Sequence, residues 1–128
     1  MPIDITHDIQ VSVETVYQGF HFVQHIGQHV FAYRITIENH GDHSVKLLRR
    51  HWHIVETNGT ERQVEGEGVV GEQPLIEPGS GHVYSSGCNL VTDLGKMFGD
   101  YTFERQHDRK LFKVEIPEFM LIAPFRNN

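Results

Sequence analysis

The chain has 128 residues, 38% of them hydrophobic, and a formal net charge of −6. This length suits one domain with its own core, and the acidic balance argues against a nucleic-acid partner, which requires a basic face. No apolar run approaches the roughly 18 residues of a membrane span, and the first residues lack the features of a signal peptide. Cys88 is the single cysteine, which excludes an intrachain disulfide. We therefore expect one cytoplasmic domain over residues 1–128, without membrane insertion.

The first third of the chain alternates apolar and polar residues with the period of two that is typical of β-strands. Ile9, Val11 and Val13 share one face of a first strand. Residues 19–29 are either the connection that follows this strand or its extension. Residues 31–37 have the clearest alternation in the chain and predict a second strand.

A turn at Asn39-His40-Gly41-Asp42 precedes a strand over residues 45–56. The alternation predicts that Trp52 and Ile54 face inward, whereas His51, His53 and Val55 face outward. Trp52 is interpreted as a core tryptophan of the fold.

Turn signals then divide the middle of the chain. Asn58-Gly59 predicts a type I′ hairpin leading into a strand over residues 61–65, because both residues tolerate a positive φ. Glu77-Pro78-Gly79-Ser80 predicts a type II turn. A strand then runs to Cys88, and residues 89–98 are expected to be a connection with a short helical turn. Tyr101 and Phe103 mark another strand, which a turn over residues 107–110 ends.

The last strand changes phase along its length. Its apolar residues occupy even positions at 112, 114 and 116 and odd positions at 119 and 121. One face holds both sets only if a residue is inserted between them, and Pro117, which cannot donate to a ladder, marks this β-bulge. The whole pattern predicts an all-β antiparallel sandwich of the immunoglobulin or fibronectin-III type with about seven or more strands. The predicted core includes Tyr33, Ile35, Trp52, Ile54, Phe103 and Val114.

Residues 66–74 form the most patterned segment of the chain. They are Gly66, Glu67, Gly68, Val69, Val70, Gly71, Glu72, Gln73 and Pro74. The Gly-x-Gly-x-x-Gly spacing resembles a dinucleotide-binding turn, but that motif needs a helix behind it, and Pro78 and Gly79 would end such a helix almost at once. We expect a bulged strand or a close backbone approach instead, with one valine in the core and the other available to a protein partner.

Two groups of histidines could bind metal. His51 and His53 share a strand face, but Arg49 lies on that face and no further ligand has a suitable spacing. A second group consists of His21, His25 and His29, which recur every four residues, a spacing that places them on one face of either a helix or a strand. We expect weak metal binding at most and no required cofactor.

Catalytic patterns are missing from the sequence. There is no serine nucleophile motif and no pairing of carboxylates for acid–base chemistry. The neighbours of Cys88 supply no base, so this residue is expected to be a buried structural thiol. We therefore expect a protein that is not an enzyme.

Several landmarks together resemble the ApaG family across nearly the whole chain. They are Arg50-His51-Trp52, the segment 66–74, Glu77-Pro78-Gly79, the segment 84–88, Gly99-x-Tyr101 and the segment 112–119. The resemblance implies a fibronectin-III-like sandwich and a loose link to cobalt tolerance and magnesium efflux. It also implies an interaction module, since a similar domain occurs in some F-box proteins and in a polymerase-associated protein. The histidine-rich residues 19–29 depart from the longer polar connection of the family.

Two hypotheses about function remain open at this point. The first is a non-catalytic protein-interaction module with an unidentified protein partner, for which a homodimer is also possible. The second is a small-ligand protein that binds a divalent metal through histidines. In this second case it could instead bind phosphate or pyrophosphate through the backbone amides of residues 66–71.

Overall fold

The computed structural model describes residues 1–124, and this part of the chain contains strands and turns but no helix. No helix long and apolar enough to cross a membrane is therefore found in it. The strands are β1 (Ile3–Thr6), β2 (Ile9–Val23), β3 (Ile26–Asn39), β4 (Val45–Glu56), β5 (Glu61–Glu67), β6 (Leu75–Ile76), β7 (Gly81–Leu90), β8 (Leu94–Arg105) and β9 (Leu111–Ile122).

The strands form two antiparallel sheets that face each other. One sheet has the order β1-β2-β3-β7 and the other has the order β5-β4-β8-β9, with β6 also paired to β4. Glu115 of β9 donates its main-chain N–H to Thr6 of β1, which joins the sheets along one side. On the opposite side, Arg62 of β5 reaches the carbonyl of Asn89 on β7. We call this second side, flanked by the edge strands β5 and β7, the open side.

The core lies between the two sheets, as the alternating residues predict. All six predicted core residues are at most 6% exposed. Trp52 packs against Tyr33 and Phe119, with ring centroids 5.4 Å and 5.8 Å apart. The all-β antiparallel sandwich is therefore confirmed, and Trp52 is a core residue.

The β-bulge at Pro117 is also confirmed. Met97 of β8 pairs with Phe119, whereas Gly99 pairs with Ile116, so β9 carries one extra residue between these pairs. The insertion brings both Ile116 and Phe119 into the core, each 2% exposed. The phase change in the sequence has this physical cause.

The turns agree with the sequence in position and partly in type. Gly79 has a φ of 80° and Ser80 donates to the Glu77 carbonyl, as a type II turn requires. The hairpin at Asn58-Gly59 exists, but its type I′ assignment is wrong because only Gly59 has a positive φ. Gly59 donates to the Glu56 carbonyl and Glu56 to the Thr60 carbonyl, which makes a three-residue loop.

Residues 19–29 are an extension of the strands rather than a long connection. Phe20 to Val23 of β2 pair directly with Ile26 to His29 of β3. The connection between the two strands is Gln24-His25, and both residues have a positive φ, as in a type I′ turn. The hairpin therefore continues beyond the part of β3 that pairs with β7, which begins at His29.

The expected connection over residues 89–98 is wrong, because most of it is strand. Strand β7 ends at Leu90 and β8 begins at Leu94. The inward positions of β8 alternate glycine with larger residues, so Gly95 and Gly99 conceal the period of two. A Cβ at Gly99 would lie 2.0 Å from the carbonyl oxygen of His51, so only glycine allows β8 to approach β4 this closely.

Candidate recognition site on the open side of the sandwich

The glycine-rich segment leaves β5 and folds back on itself in a tight turn. Gly66 and Glu67 still belong to β5, and Val69 and Glu72 then exchange two main-chain hydrogen bonds of 2.8 Å and 3.0 Å. The residues between them, Val70 and Gly71, have φ values of 47° and 77°. This is the geometry of a type I′ turn, which valine adopts only with strain. We call residues 66–74 the recognition loop.

Besides the β4–β5 ladder, five hydrogen bonds fasten the recognition loop to β4, one of them from the Leu47 N–H to the Pro74 carbonyl at 3.0 Å. The Gly68 N–H and the Gln73 side chain both donate to the carbonyl of Leu48, at 2.8 Å and 2.9 Å. Nη1 of Arg50 donates to the carbonyls of Glu67 and Gly68, both at 3.0 Å. The loop is therefore held in one conformation before any partner arrives.

The two valines of the loop have opposite environments. Val69 is 1% exposed and belongs to the core, whereas Val70 is 63% exposed. Glu67 and Glu72, on either side of the turn, are also exposed. The structure therefore places one valine inside and presents the other to solvent between two carboxylates.

Arg50 is the residue of this site that the sequence interpretation missed. Its guanidinium lies over Gly66, where a Cβ would be 2.9 Å from Nη1. Gly68 has a similar constraint, because its φ is 63° and a Cβ would lie 2.1 Å from the carbonyl oxygen of Glu72. A signal was present: Arg50 has the same parity as the inward-facing Trp52 and Ile54, and arginine at an inward position needs an explanation.

A cleft of about 320 Å³ opens beside the loop. Its lining includes Arg50 of β4, Glu67, Val70 and Gly71 of the loop, and Ser85 and Ser86 of β7. Tyr84 also lines the cleft, and its hydroxyl is hydrogen-bonded to that of Tyr101. Burial raises the pKa of both tyrosines, so these hydroxyls stay neutral and act as hydrogen-bonding groups.

An ion pair between the buried Glu56 and the partly exposed Arg62 closes one end of the open side. The Glu56 carboxylate accepts hydrogen bonds from the main-chain N–H groups of Val91 and Thr92 and from Nη1 of Arg62. Nη2 of Arg62 donates to the Asn89 carbonyl at 2.6 Å and lies 3.4 Å from Sγ of Cys88. Burial raises the pKa of the Cys88 thiol, in agreement with a structural role.

His51 and His53 lie side by side on β4, with ring centroids 4.6 Å apart. Each has other interactions: Nε2 of His51 is 2.8 Å from Oε1 of Gln63, and the His53 ring stacks on Phe98. Within residues 1–124, no group of three or more His, Cys, Asp or Glu side chains could hold a metal ion.

The other histidine series is not gathered into one site. His25 is in the turn of the β2–β3 hairpin, and His29 pairs with Phe20, which places His21 on the opposite face. His29 instead lies 2.8 Å from the Tyr17 hydroxyl through Nδ1. The expectation that the three histidines share a face is therefore wrong, because the hairpin turn interrupts the series.

The recognition loop also lacks the features of a phosphate-binding turn. A strand, β6, follows it in place of a helix. The amides of Gly68, Val69 and Glu72 already donate to main-chain carbonyls, so they are not free to surround a phosphate.

Comparisons with known proteins identify the family of the chain. A model of the ApaG domain family matches residues 21–105. The Protein ApaG of Sinorhizobium fredii is 45% identical over 120 residues, which cover 94% of this chain and 92% of that protein. The chain belongs to the ApaG family. The Protein ApaG of Rhizobium meliloti has the same coverage and 44% identity.

Solved structures agree with this ApaG assignment. The crystal structure of the putative ApaA protein from Bordetella pertussis is 38% identical and has a TM-score of 0.83 over 96% of each chain. An X-ray structure of a structural genomics target is also 38% identical and has a TM-score of 0.86, covering 91% of this chain and 88% of that one. The ApaG family match includes the recognition loop, Arg50 and β7, and the names of these relatives state no enzymatic activity.

Proposed function

We propose that this ApaG family member is a non-catalytic protein-interaction module whose recognition loop binds a protein partner. The observation that carries the proposal is Val70, a β-branched residue with a φ of 47° and 63% of its surface exposed. A non-glycine residue in this region costs about 1–3 kcal/mol, and the exposed side chain gains little packing in return. Strain of this kind at an exposed, firmly held position indicates selection for binding rather than for stability.

The charges beside Val70 indicate the chemistry of the partner. Glu67 and Glu72 are exposed on both sides of the turn, and the chain as a whole is acidic. A partner with an apolar contact for Val70 and flanking basic residues would complement this surface, and its association would weaken as salt increases.

Substitutions in the loop test this function without disturbing the core. Val70→Gly removes the exposed side chain and relieves the positive φ, so we expect unchanged or slightly higher stability and loss of the partner. The double variant Glu67→Lys/Glu72→Lys should also fold normally and lose the partner. The measurement is a comparison of proteins captured from the source cell at low salt, together with thermal unfolding of each variant.

A matched control comes from the neighbouring valine. Val69→Ala removes a core side chain and should lower stability by about 1–3 kcal/mol while leaving the exposed surface intact. The proposal would be wrong if the Val70→Gly and charge-reversed proteins retained both full stability and every partner of the wild type.

The cleft favours a second candidate function, the binding of a small anion. Arg50 is the reason for this candidate. Its Nη1 donates to two carbonyls of the loop, and the residue also lines the cleft together with Ser85 and Ser86. A phosphate or pyrophosphate would bind here through a side chain rather than through the amides of the glycines. Calorimetric titration with pyrophosphate distinguishes this function, since the interaction module predicts no saturable heat.

The resemblance to the ApaG family supports a proposal about the cellular setting. The ApaG resemblance links the module to cobalt tolerance and magnesium efflux, and the composition fits a cytoplasmic protein. We therefore propose that the interaction takes part in the control of divalent cations, with the partner supplying the transport or regulatory activity.

A further inference from the structure

Strand β7 is an edge strand without the usual protection of an edge. It ends its sheet, and among residues 1–124 no strand pairs with its outer side. Its ten residues contain no lysine, arginine, aspartate, glutamate or proline, and Val83, Ser85, Ser86 and Gly87 are exposed. The other edge strand of the open side, β5, carries charged residues at four of its seven positions. Charge and proline normally prevent an edge from accepting a further strand, so β7 is left able to accept one.

The register of β7 shows which main-chain groups face the open edge. The Asn39 N–H donates to the Ser80 carbonyl, so the ladder between β3 and β7 is hydrogen-bonded at this pair. Along an antiparallel ladder, hydrogen-bonded pairs alternate with pairs that are not hydrogen-bonded to each other. The even-numbered residues of β7 are therefore bonded to β3, and the odd-numbered residues point outward. The Asn89 carbonyl agrees with this assignment, since it points away from β3 and accepts from Arg62.

The outward groups available to a further strand belong to Val83, Ser85 and Gly87. Arg62 closes the ladder at Asn89, so the accessible stretch is short. A strand of about five residues would fill it, because strands rise about 3.3 Å per residue. Its inward-facing side chains would enter the cleft beside the recognition loop.

The cleft defines the chemistry of such a strand. Val70 and Gly71 of the loop and Ser85 and Ser86 of β7 contribute to its lining. Arg50 is the cationic residue of the cleft lining and is half-buried, and Glu67, which also lines the cleft, accepts a hydrogen bond from Arg50 through its main-chain carbonyl. At the position that faces Arg50, a carboxylate on the incoming strand would complement the guanidinium.

We propose that β7 is a strand-docking edge, at which an extended segment of the partner protein adds to the sheet and directs an acidic side chain towards Arg50. The inference rests on the proposed function and adds the position, geometry and chemistry of the contact. Main-chain hydrogen bonds to Val83, Ser85 and Gly87 supply the affinity. The cleft receives every second side chain of the docked segment and supplies the specificity. Glu67 lines the same cleft, so the basic residues that complement Glu67 and Glu72 flank the acidic side chain that faces Arg50.

The experiment selects binders from a phage-displayed library of random short peptides and measures the affinity of the synthesised winners. Ser85→Pro is the decisive variant, because the Ser85 N–H faces the open edge and proline is tolerated at such positions. We expect this variant to fold and to bind the selected peptides at least about tenfold more weakly than the wild type. Ser85→Ala is the matched control and should bind as the wild type does.

Two further measurements keep the test independent of how well Ser85→Pro folds. Hydrogen exchange on the wild type should show new protection of the amides of Val83, Ser85 and Gly87 when a selected peptide is added. Replacing the acidic residue of the peptide by its amide should weaken binding roughly tenfold to the wild type, and this difference should disappear with Arg50→Gln.

The outcomes separate this inference from the proposed function. Peptides that bind Ser85→Pro and the wild type equally, that lack an acidic residue, or that leave the β7 amides unprotected would overturn strand docking. A library that yields no peptide dependent on Ser85 would overturn it as well. The recognition function stands or falls separately, on whether Val70→Gly and the charge-reversed loop lose the cellular partner.

Discussion

At the scale of single residues, a buried pair of hydroxyls connects the two sheets. Tyr84 of β7 and Tyr101 of β8 share a hydrogen bond, and burial raises the pKa of each above its ordinary value. Burial also raises the pKa of Tyr33, which lies next to them. All three groups remain protonated in the folded protein at pH values where an unfolded chain would ionise.

The free energy of unfolding should consequently decrease at high pH. A tyrosine in the unfolded chain releases its proton at about pH 10, whereas these tyrosines keep theirs in the folded protein. Proton release therefore favours the unfolded state above that pH. Below about pH 9 this effect is absent, because both states are protonated. Urea unfolding from neutral to strongly alkaline pH measures the decline. In the double variant Tyr84→Phe/Tyr101→Phe, the free energy of unfolding should decline less steeply with pH than in the wild type. An equal decline in the variant and the wild type would contradict the role given to these two tyrosines.

At the scale of elements, the sequence predicts the strands that alternate visibly and misses those in which glycine replaces an inward side chain. The phase change at Pro117 reveals the bulge in β9. Gly95 and Gly99 conceal the first half of β8 because they contribute no apolar signal, whereas Tyr101 and Phe103 mark its second half. The recognition loop is recognisable from its glycines and from the two valines. The contact between the loop and Arg50 cannot be recognised from the sequence, because it depends on the register between β4 and β5, which places Arg50 opposite Gly66.

The tight approach of β8 to β4 predicts a large effect of a small substitution. Gly99→Ala would place a methyl group against the carbonyl of His51, so the strands must separate, and we expect a loss of about 3 kcal/mol. Ser85→Ala, on the exposed edge of β7, should change stability by less than about 0.5 kcal/mol. Chemical denaturation of the two variants measures the difference. A Gly99→Ala protein as stable as the wild type would show that β8 does not need glycine there.

At the scale of the whole molecule, stability comes from one apolar core between two sheets, and the histidines contribute little to it. The buried residues form a single cluster that draws on both sheets, from Ile9 and Ile35 to Tyr101 and Leu121. The histidines lie outside this cluster, and several of them are in turns or on outer faces. Protonation of all ten would reverse the sign of the net charge, so the surface field depends on pH although the fold does not depend on a histidine site.

This separation of core and histidines predicts that metal is not required for folding. His51 and His53 would need a third ligand, and Gln63 and Phe98 already contact their rings. Treating freshly purified protein with a chelator should therefore leave Tm unchanged within about 1 °C, because no binding energy is linked to folding. Added zinc should raise Tm only at concentrations near the Kd of a weak surface site, and the double variant His51→Ala/His53→Ala should lose that increase. A fall in Tm of many degrees after chelation would instead reveal a structural metal that holds the sandwich together.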